Sequence, residues 1–191
     1  MKLTVFCASS SQVGHQYIED ARKVGEIIGA QGHVLINGAG RTGLMQAVAD
    51  GCLAQGGEAI GVIPQFMIDK GWQHTGMTEL VITRSMGERK DYMMSESDAC
   101  IALPGGVGTL EELFEIVTLK QLGQYDKPIV ILNTDGYYDD LLHFVQHIVD
   151  EKFMHAIYTQ LWKVASTPEE AVALAVGTPK WTESIDKYAA L

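Results

Sequence analysis

The chain has 191 residues, of which 47% are hydrophobic and 20% charged, and its formal net charge is −10. That length and composition suit one soluble domain spanning residues 1–191 with a sizeable core. The acidic balance, without a basic stripe, argues against a nucleic-acid polymer as partner. No apolar run approaches the ~18 residues of a membrane-spanning helix.

In chain order, apolar runs of strand length alternate with longer helical patterns. Strands are predicted over 3–8, 33–36, 59–63, 80–83, 99–103, 129–132 and 162–164; helices over 17–31, 43–55, 87–96, 109–122, 138–151 and 168–176. The strand runs are apolar throughout rather than alternating, which suits a parallel sheet covered on both faces. The expected fold is α/β: a doubly wound, mainly parallel, Rossmann-like sheet with helices on both faces. The N-terminus reads as the first strand rather than a signal peptide. Cys7, Cys52 and Cys100 are odd in number and scattered, and read as buried free thiols of a reducing cytoplasm. Residues 64–79 have no clear period; they form either a surface loop with a short helix, or a lid or oligomer contact. The tail after Gly177 is expected to be loosely ordered or to lie on a neighbour.

Two glycine loops punctuate this pattern. Gly38-Ala39-Gly40-Arg41-Thr42-Gly43 matches G-x-G-x-x-G between a strand and a helix. A dinucleotide site is disfavoured, because the loop follows the second strand and Glu58 stands at the wrong end of the third for a ribose contact. Pro104-Gly105-Gly106-Val107-Gly108-Thr109 also joins a strand to a helix. Its backbone N–H groups and the helix start suit a phosphate. If the two loops follow adjacent strands, they face each other across a crevice sized for a mononucleotide.

Glu111 and Glu112 follow the second loop. Thr109 and Glu112 fit a capping box, with Thr109 at the N-cap, which is a structural account of Glu112. Ser85 and Glu88 form a second such pattern, opening the helix of Arg89 and Lys90. Basic residues in a first turn oppose the helix dipole, which hints at a role for them. Ser9, Ser10 and Ser11 suit either a phosphate contact or a helix cap. His143, His147 and Glu151 share a helix face but lack the accompanying acid and cysteines of a zinc site, so no metal is expected.

These residues resemble the LONELY GUY family, the cytokinin riboside 5′-monophosphate phosphoribohydrolases. The family's P-G-G-x-G-T-x-x-E signature is matched by residues 104–112 without a substitution. Its S-M-x-x-R-K run is matched by Ser85, Met86, Arg89 and Lys90. The departures are Asn37 and Ala39 in the first loop, Gly87 in place of a common histidine, and a missing glutamate near 69–72. Relatives often carry a lysine decarboxylase label, but nothing in the sequence suggests pyridoxal phosphate.

The resemblance implies hydrolysis of the N-glycosidic bond in an N6-substituted adenosine 5′-monophosphate, without a cofactor, by a homodimer or larger assembly with sites near the subunit contact. It assigns catalysis to Arg89 and Glu112 and a ribose contact to Glu111. Phosphate falls to Lys90 with Gly105, Gly106 and Gly108, and further hydroxyl contacts to Thr109 and Thr118. Gly38, Gly40 and Gly43 form the second wall. Two alternatives stay open: a phosphate-bearing pterin carrier like the molybdenum cofactor carrier proteins, which share the glycine signature, and a general AMP nucleosidase.

Overall fold

Consecutive apolar runs become seven strands in a computed structural model that describes residues 1–182. They are β1 (Lys2–Phe6), β2 (Val34–Asn37), β3 (Glu58–Pro64), β4 (Glu79–Thr83), β5 (Ala99–Ala102), β6 (Ile129–Leu132) and β7 (Lys163–Ala165). All pair in parallel, in the order β4-β3-β2-β1-β5-β6-β7. The helices are α1 (His15–Ala30), α2 (Gly43–Ala54), α3 (Gln65–Ile68), α4 (Met86–Ser95), α5 (Val107–Gln121), α6 (Asp139–Asp150) and α7 (Pro168–Gly177).

Side chains alternate across a strand, so each strand feeds two cores. Leu3, Val5 and Cys7 meet α1, α2 and α7 through Val24, Val48 and Val172. Phe6 and Cys100 point the other way, toward Met93 of α4 and Ile116 of α5. This is the doubly wound α/β sheet, with helices on both faces. The chain reverses its winding between β1 and β5, and ligands in such sheets bind beyond the carboxyl ends of the strands at that point.

The structure corrects four expectations. β2 and β5 are not adjacent; β1 lies between them, so the two glycine loops flank the segment after β1. α5 begins at Val107 with Gly106 as N-cap and no side-chain cap, two residues before Thr109. Thr109 and Glu112 therefore form no capping box, and that explanation of Glu112 falls away. At α4 the cap is half formed: Ser85 Oγ accepts from Glu88 N–H, but the Glu88 carboxylate accepts from Arg84 N–H instead of Ser85 N–H. The serines after β1 do not cap α1, whose N-cap is Gly14.

Residues 64–79 contain α3, and Gln73 then pairs antiparallel with Gly40. After Gly177 the chain folds back on itself: Trp181 N–H donates to Asp126 O at 2.6 Å and Lys180 pairs with Asp126 at 3.0 Å. The rest of that tail, 183–191, lies outside the described residues. All three cysteines are buried and free. Among the described residues no helix is long and apolar enough to cross a membrane.

Candidate active site

α4 carries Arg89 inward. Thr4 Oγ1 in β1 donates to Met93 O at 2.7 Å, which holds the helix over the sheet. The Arg89 side chain runs beneath the carboxyl ends of the strands. Its Nε donates to Val62 O at 2.9 Å, and its Nη1 to Glu112 Oε1 at 2.7 Å. Arg89 is 4% and Glu112 5% exposed. A buried pair is expensive to desolvate and is weak support for stability, so its presence here points to chemistry.

Gly38 makes room for the guanidinium. A Cβ at Gly38 would lie 1.9 Å from Arg89 Nη2, well inside contact distance. The first glycine loop thus makes room for the Arg89 guanidinium as well as for any ligand. Asn37 braces that loop: Ala39 N–H donates to Asn37 Oδ1 at 2.9 Å, and Asn37 Nδ2 donates to Met45 O at 3.0 Å. Ala39 sits at φ +56°, a left-handed conformation that is uncommon for a residue with a side chain.

The second loop is braced from below. Tyr137 Oη donates to Gly105 O at 2.8 Å and Tyr138 Oη to Leu103 O at 2.7 Å. A Cβ at Gly105 would strike Thr109 Oγ1, whereas Cβ atoms at Gly106 and Gly108 would meet open space. Since Gly106 offers no side chain to cap α5, the first-turn N–H groups are left for a ligand.

Two adjoining cavities open onto these elements. One, of about 450 Å³, is lined by Gly38, Gly40, Arg41, Ile63, Met67 and Trp72. The other, of about 340 Å³, is lined by Ser9, Ser10, Gly106, Gly108, Thr109 and Glu112. Ser9, Met45, Met67 and Arg89 border both. Trp72 and Met67 come from the aperiodic segment, which is a wall of the cavity. It is tied to the first loop by Arg41 N–H to Trp72 O (3.1 Å) and His74 N–H to Ala39 O (2.8 Å).

Electrostatics follow from burial. Desolvation pushes the Glu112 carboxyl above the ordinary carboxylate range; Arg89 opposes this, Glu111 adds to it and Lys90 opposes it. Desolvation also raises the Cys7 thiol, with the Glu112 charge adding to the effect, so Cys7 is an inert wall rather than a nucleophile.

The other predicted residues fall in different places. Lys90 pairs with Glu111 and, at 2.7 Å, with Glu115. Hydrogen bonds to Glu111 and then Glu115 raise its pKa. Lys90 is thus held by two carboxylates and, like Glu111, lines neither cavity; the sequence reading overlooked Glu115, although it lies four residues from Glu111 on the same helix face. Thr118 is exposed and donates to Phe114 O of its own helix at 2.7 Å. It borders neither cavity, so the structure does not bring it to the Arg89/Glu112 pair. Gly43 starts α2 at φ +62°, with a Cβ position 2.4 Å from Ser10 O, and serves loop contact rather than the cavity. His143 and His147 are exposed on α6.

A family model described as "Possible lysine decarboxylase" matches residues 45–175. A cytokinin riboside 5′-monophosphate phosphoribohydrolase of Arabidopsis thaliana is 39% identical over 173 residues, covering 90% of this chain and 75% of the relative. The enzyme of that name from Rhodococcoides fascians is 41% identical over 153 residues, covering 80% and 77%. Among solved structures, the molybdenum cofactor binding protein of Rippkaea orientalis superposes with a TM-score of 0.68 at 23% identity, covering 91% of this chain and 93% of that one; the likeness is one of fold. With a signature matched at every fixed position, and relatives near 40% identity over most of its length, the chain belongs to the LONELY GUY family of cytokinin riboside 5′-monophosphate phosphoribohydrolases.

Proposed function

We propose that this protein hydrolyses the N-glycosidic bond of an N6-substituted adenosine 5′-monophosphate to free base and ribose 5-phosphate. The observation that carries the reading is the buried Arg89/Glu112 pair set between two glycine-loop walls. The phosphate sits on the uncapped start of α5, against Gly106, Gly108, Thr109 and the Ser9 and Ser10 segment. The base lies in the larger cavity between the Gly38 and Gly40 backbone and Met67 and Trp72. That arrangement places the ribose across Arg89 and Glu112.

As the C1′–N9 bond breaks, positive charge develops on the ribose. Ionised Glu112 stabilises it and accepts the proton of the attacking water, whose oxygen bonds C1′; the departing base takes up a proton at nitrogen. A carboxyl with a raised pKa is suited to holding the water's proton, and such acid–base assistance contributes about 10²–10⁴-fold. Arg89 fixes the carboxylate. Lys90, already neutralised by Glu111 and Glu115, sits at the rim and acts on phosphate or ribose from there.

Incubation with AMP and with isopentenyladenosine monophosphate, followed by chromatography of the free base, tests the reading. Faster release from the isopentenyl substrate is expected. Equal or faster release from AMP would make it a general AMP nucleosidase, and release from neither would overturn the hydrolase assignment. The protein acts as a cytoplasmic homodimer or larger assembly; Phe114 and Leu122 on or beside α5 and Phe144 on α6 expose apolar surface for such a contact. Light scattering that reports a monomer would overturn that part.

A further inference from the structure

Lys120 lies near the far end of α5, eight residues beyond Glu112, which is about 12 Å along the helix axis. It is 3% exposed, and among the described residues it has no ion pair; its Nζ donates to Lys127 O at 2.7 Å. A buried cation without a counter-ion is unusual, since desolvating a charge is costly unless it is paired. The nearby acid, Asp126, is engaged by Lys180 at 3.0 Å.

Lys120 borders a cavity of about 280 Å³ at the amino ends of β6 and β7, the end of the sheet opposite the nucleotide site. Lys163, which has no ion pair among the described residues, lines the same cavity, as do Trp162 and Trp181. In a chain of net charge −10, this is a local excess of positive charge beside two aromatic walls. Burial lowers the Lys120 pKa to about 8, with the Lys163 charge acting in the same direction and Asp126 and Cys100 opposing it. The site holds what an oxyanion on a flat organic body requires, namely two cations to receive the charge and indole surfaces to cover the body.

We propose that this cavity is a second ligand site, distinct from the nucleotide site, that takes a small aromatic or planar molecule bearing a carboxylate or a phosphoryl group, received by Lys120 and Lys163. The proposal does not depend on the reaction at Glu112.

The chain has three tryptophans, and the third, Trp72, lines the nucleotide site. In a Trp72→Phe background, tryptophan fluorescence therefore comes from Trp162 and Trp181, which both line the new cavity. Titration with benzoate and with phenyl phosphate is expected to give a saturable change, and the tighter of the two identifies which oxyanion the site prefers. Inorganic phosphate alone should bind more weakly than phenyl phosphate. Lys120→Met should weaken binding about tenfold or more, as expected for loss of a charged hydrogen bond. Lys163→Gln, at an exposed position, should weaken it about threefold. A response that does not saturate, or one that survives unchanged in both lysine variants, would overturn the proposal. Lys120→Met should fold at least as well as the parent, since it replaces a buried charge by a side chain of similar volume.

Discussion

Two ion-pair systems stand side by side in this protein, built from neighbouring residues. Arg89 and Lys90 are consecutive on α4; Glu112 and Glu111 are consecutive on α5. Arg89 turns inward to Glu112, and the pair is almost wholly buried, with side chains 5% and 7% exposed. Lys90 turns toward the rim, where it meets Glu111 and Glu115, whose side chains are 51% and 35% exposed. The helix period does the sorting: consecutive residues are about 100° apart around the axis, so one faces the cavity and its neighbour the rim. Rim pairs in water contribute little. The buried pair has Val62 O as a further partner, a glycine that makes room for it, and a carboxyl whose pKa is raised. Burial, rather than residue type, therefore separates the carboxylate proposed to react from those at the rim.

The largest effects come from breaking the buried pair. Glu112→Gln keeps an oxygen for Arg89 Nη1 but removes the proton acceptor, and turnover should fall by about 10³-fold with the fold retained. Arg89→Met should lose as much activity and also destabilise the protein by about 3–5 kcal/mol, since Glu112 is left buried without its partner. Base-release assays with thermal melts separate the two. Turnover in Glu112→Gln within a few-fold of the parent would reduce Glu112 to a structural residue.

Next comes the glycine beneath the pair. Gly38→Ala adds a methyl group 1.9 Å from Arg89 Nη2. The guanidinium must shift, and positional errors near 1 Å cost about 10²-fold in rate. We expect a kcat loss of that order with little change in KM. The same substitution at Gly108, where a Cβ meets open space, should instead raise KM through the phosphate. Matching effects at the two glycines would remove the distinction between a glycine that admits Arg89 and one that admits the ligand.

How much of this was legible in the sequence differs by level. The strands were readable because a two-sided parallel sheet leaves uninterrupted apolar runs, and all seven fall within two residues of their observed ends. Strand order was not, because nothing local in 33–43 or 99–108 says that β1 will lie between β2 and β5. The start of α5 was misplaced because Thr109 and Glu112 carry a capping pattern, while the true N-cap, Gly106, marks itself only by backbone geometry. That displacement mattered: it hid the fact that Glu112 has no capping duty. The aperiodic segment concealed Met67 and Trp72, whose place in the cavity wall depends on backbone bonds to the first glycine loop.

A finer test asks whether the rim tunes the buried pair. Glu111 raises the Glu112 pKa and Lys90 lowers it. Glu112 must be ionised to accept the water's proton, so the acidic limb of the kcat/KM profile should lie above the ordinary carboxylate range. Glu111→Gln removes a like charge and should move that limb to lower pH; Lys90→Met removes an opposite charge and should move it to higher pH. Shifts in one common direction would show that the substitutions act by rearranging the site instead of by charge.

The smallest effect is expected at Thr118, and it sharpens the comparison from the rim side. Its hydroxyl is exposed and already donates to Phe114 O within α5. Thr118→Val keeps the shape and removes only that bond. It sits seven residues after Glu111, on the same face as Glu111 and Glu115 and away from Glu112. If the reaction is confined to the cavity of one chain, kcat and KM should both stay within about twofold of the parent, and the melting temperature should change by no more than a surface substitution allows. A loss confined to KM would mean that the substrate reaches past the rim to this face. A loss that appears only with a change in assembly, read by light scattering, would instead place the contact between copies along the Glu111, Glu115 and Thr118 face.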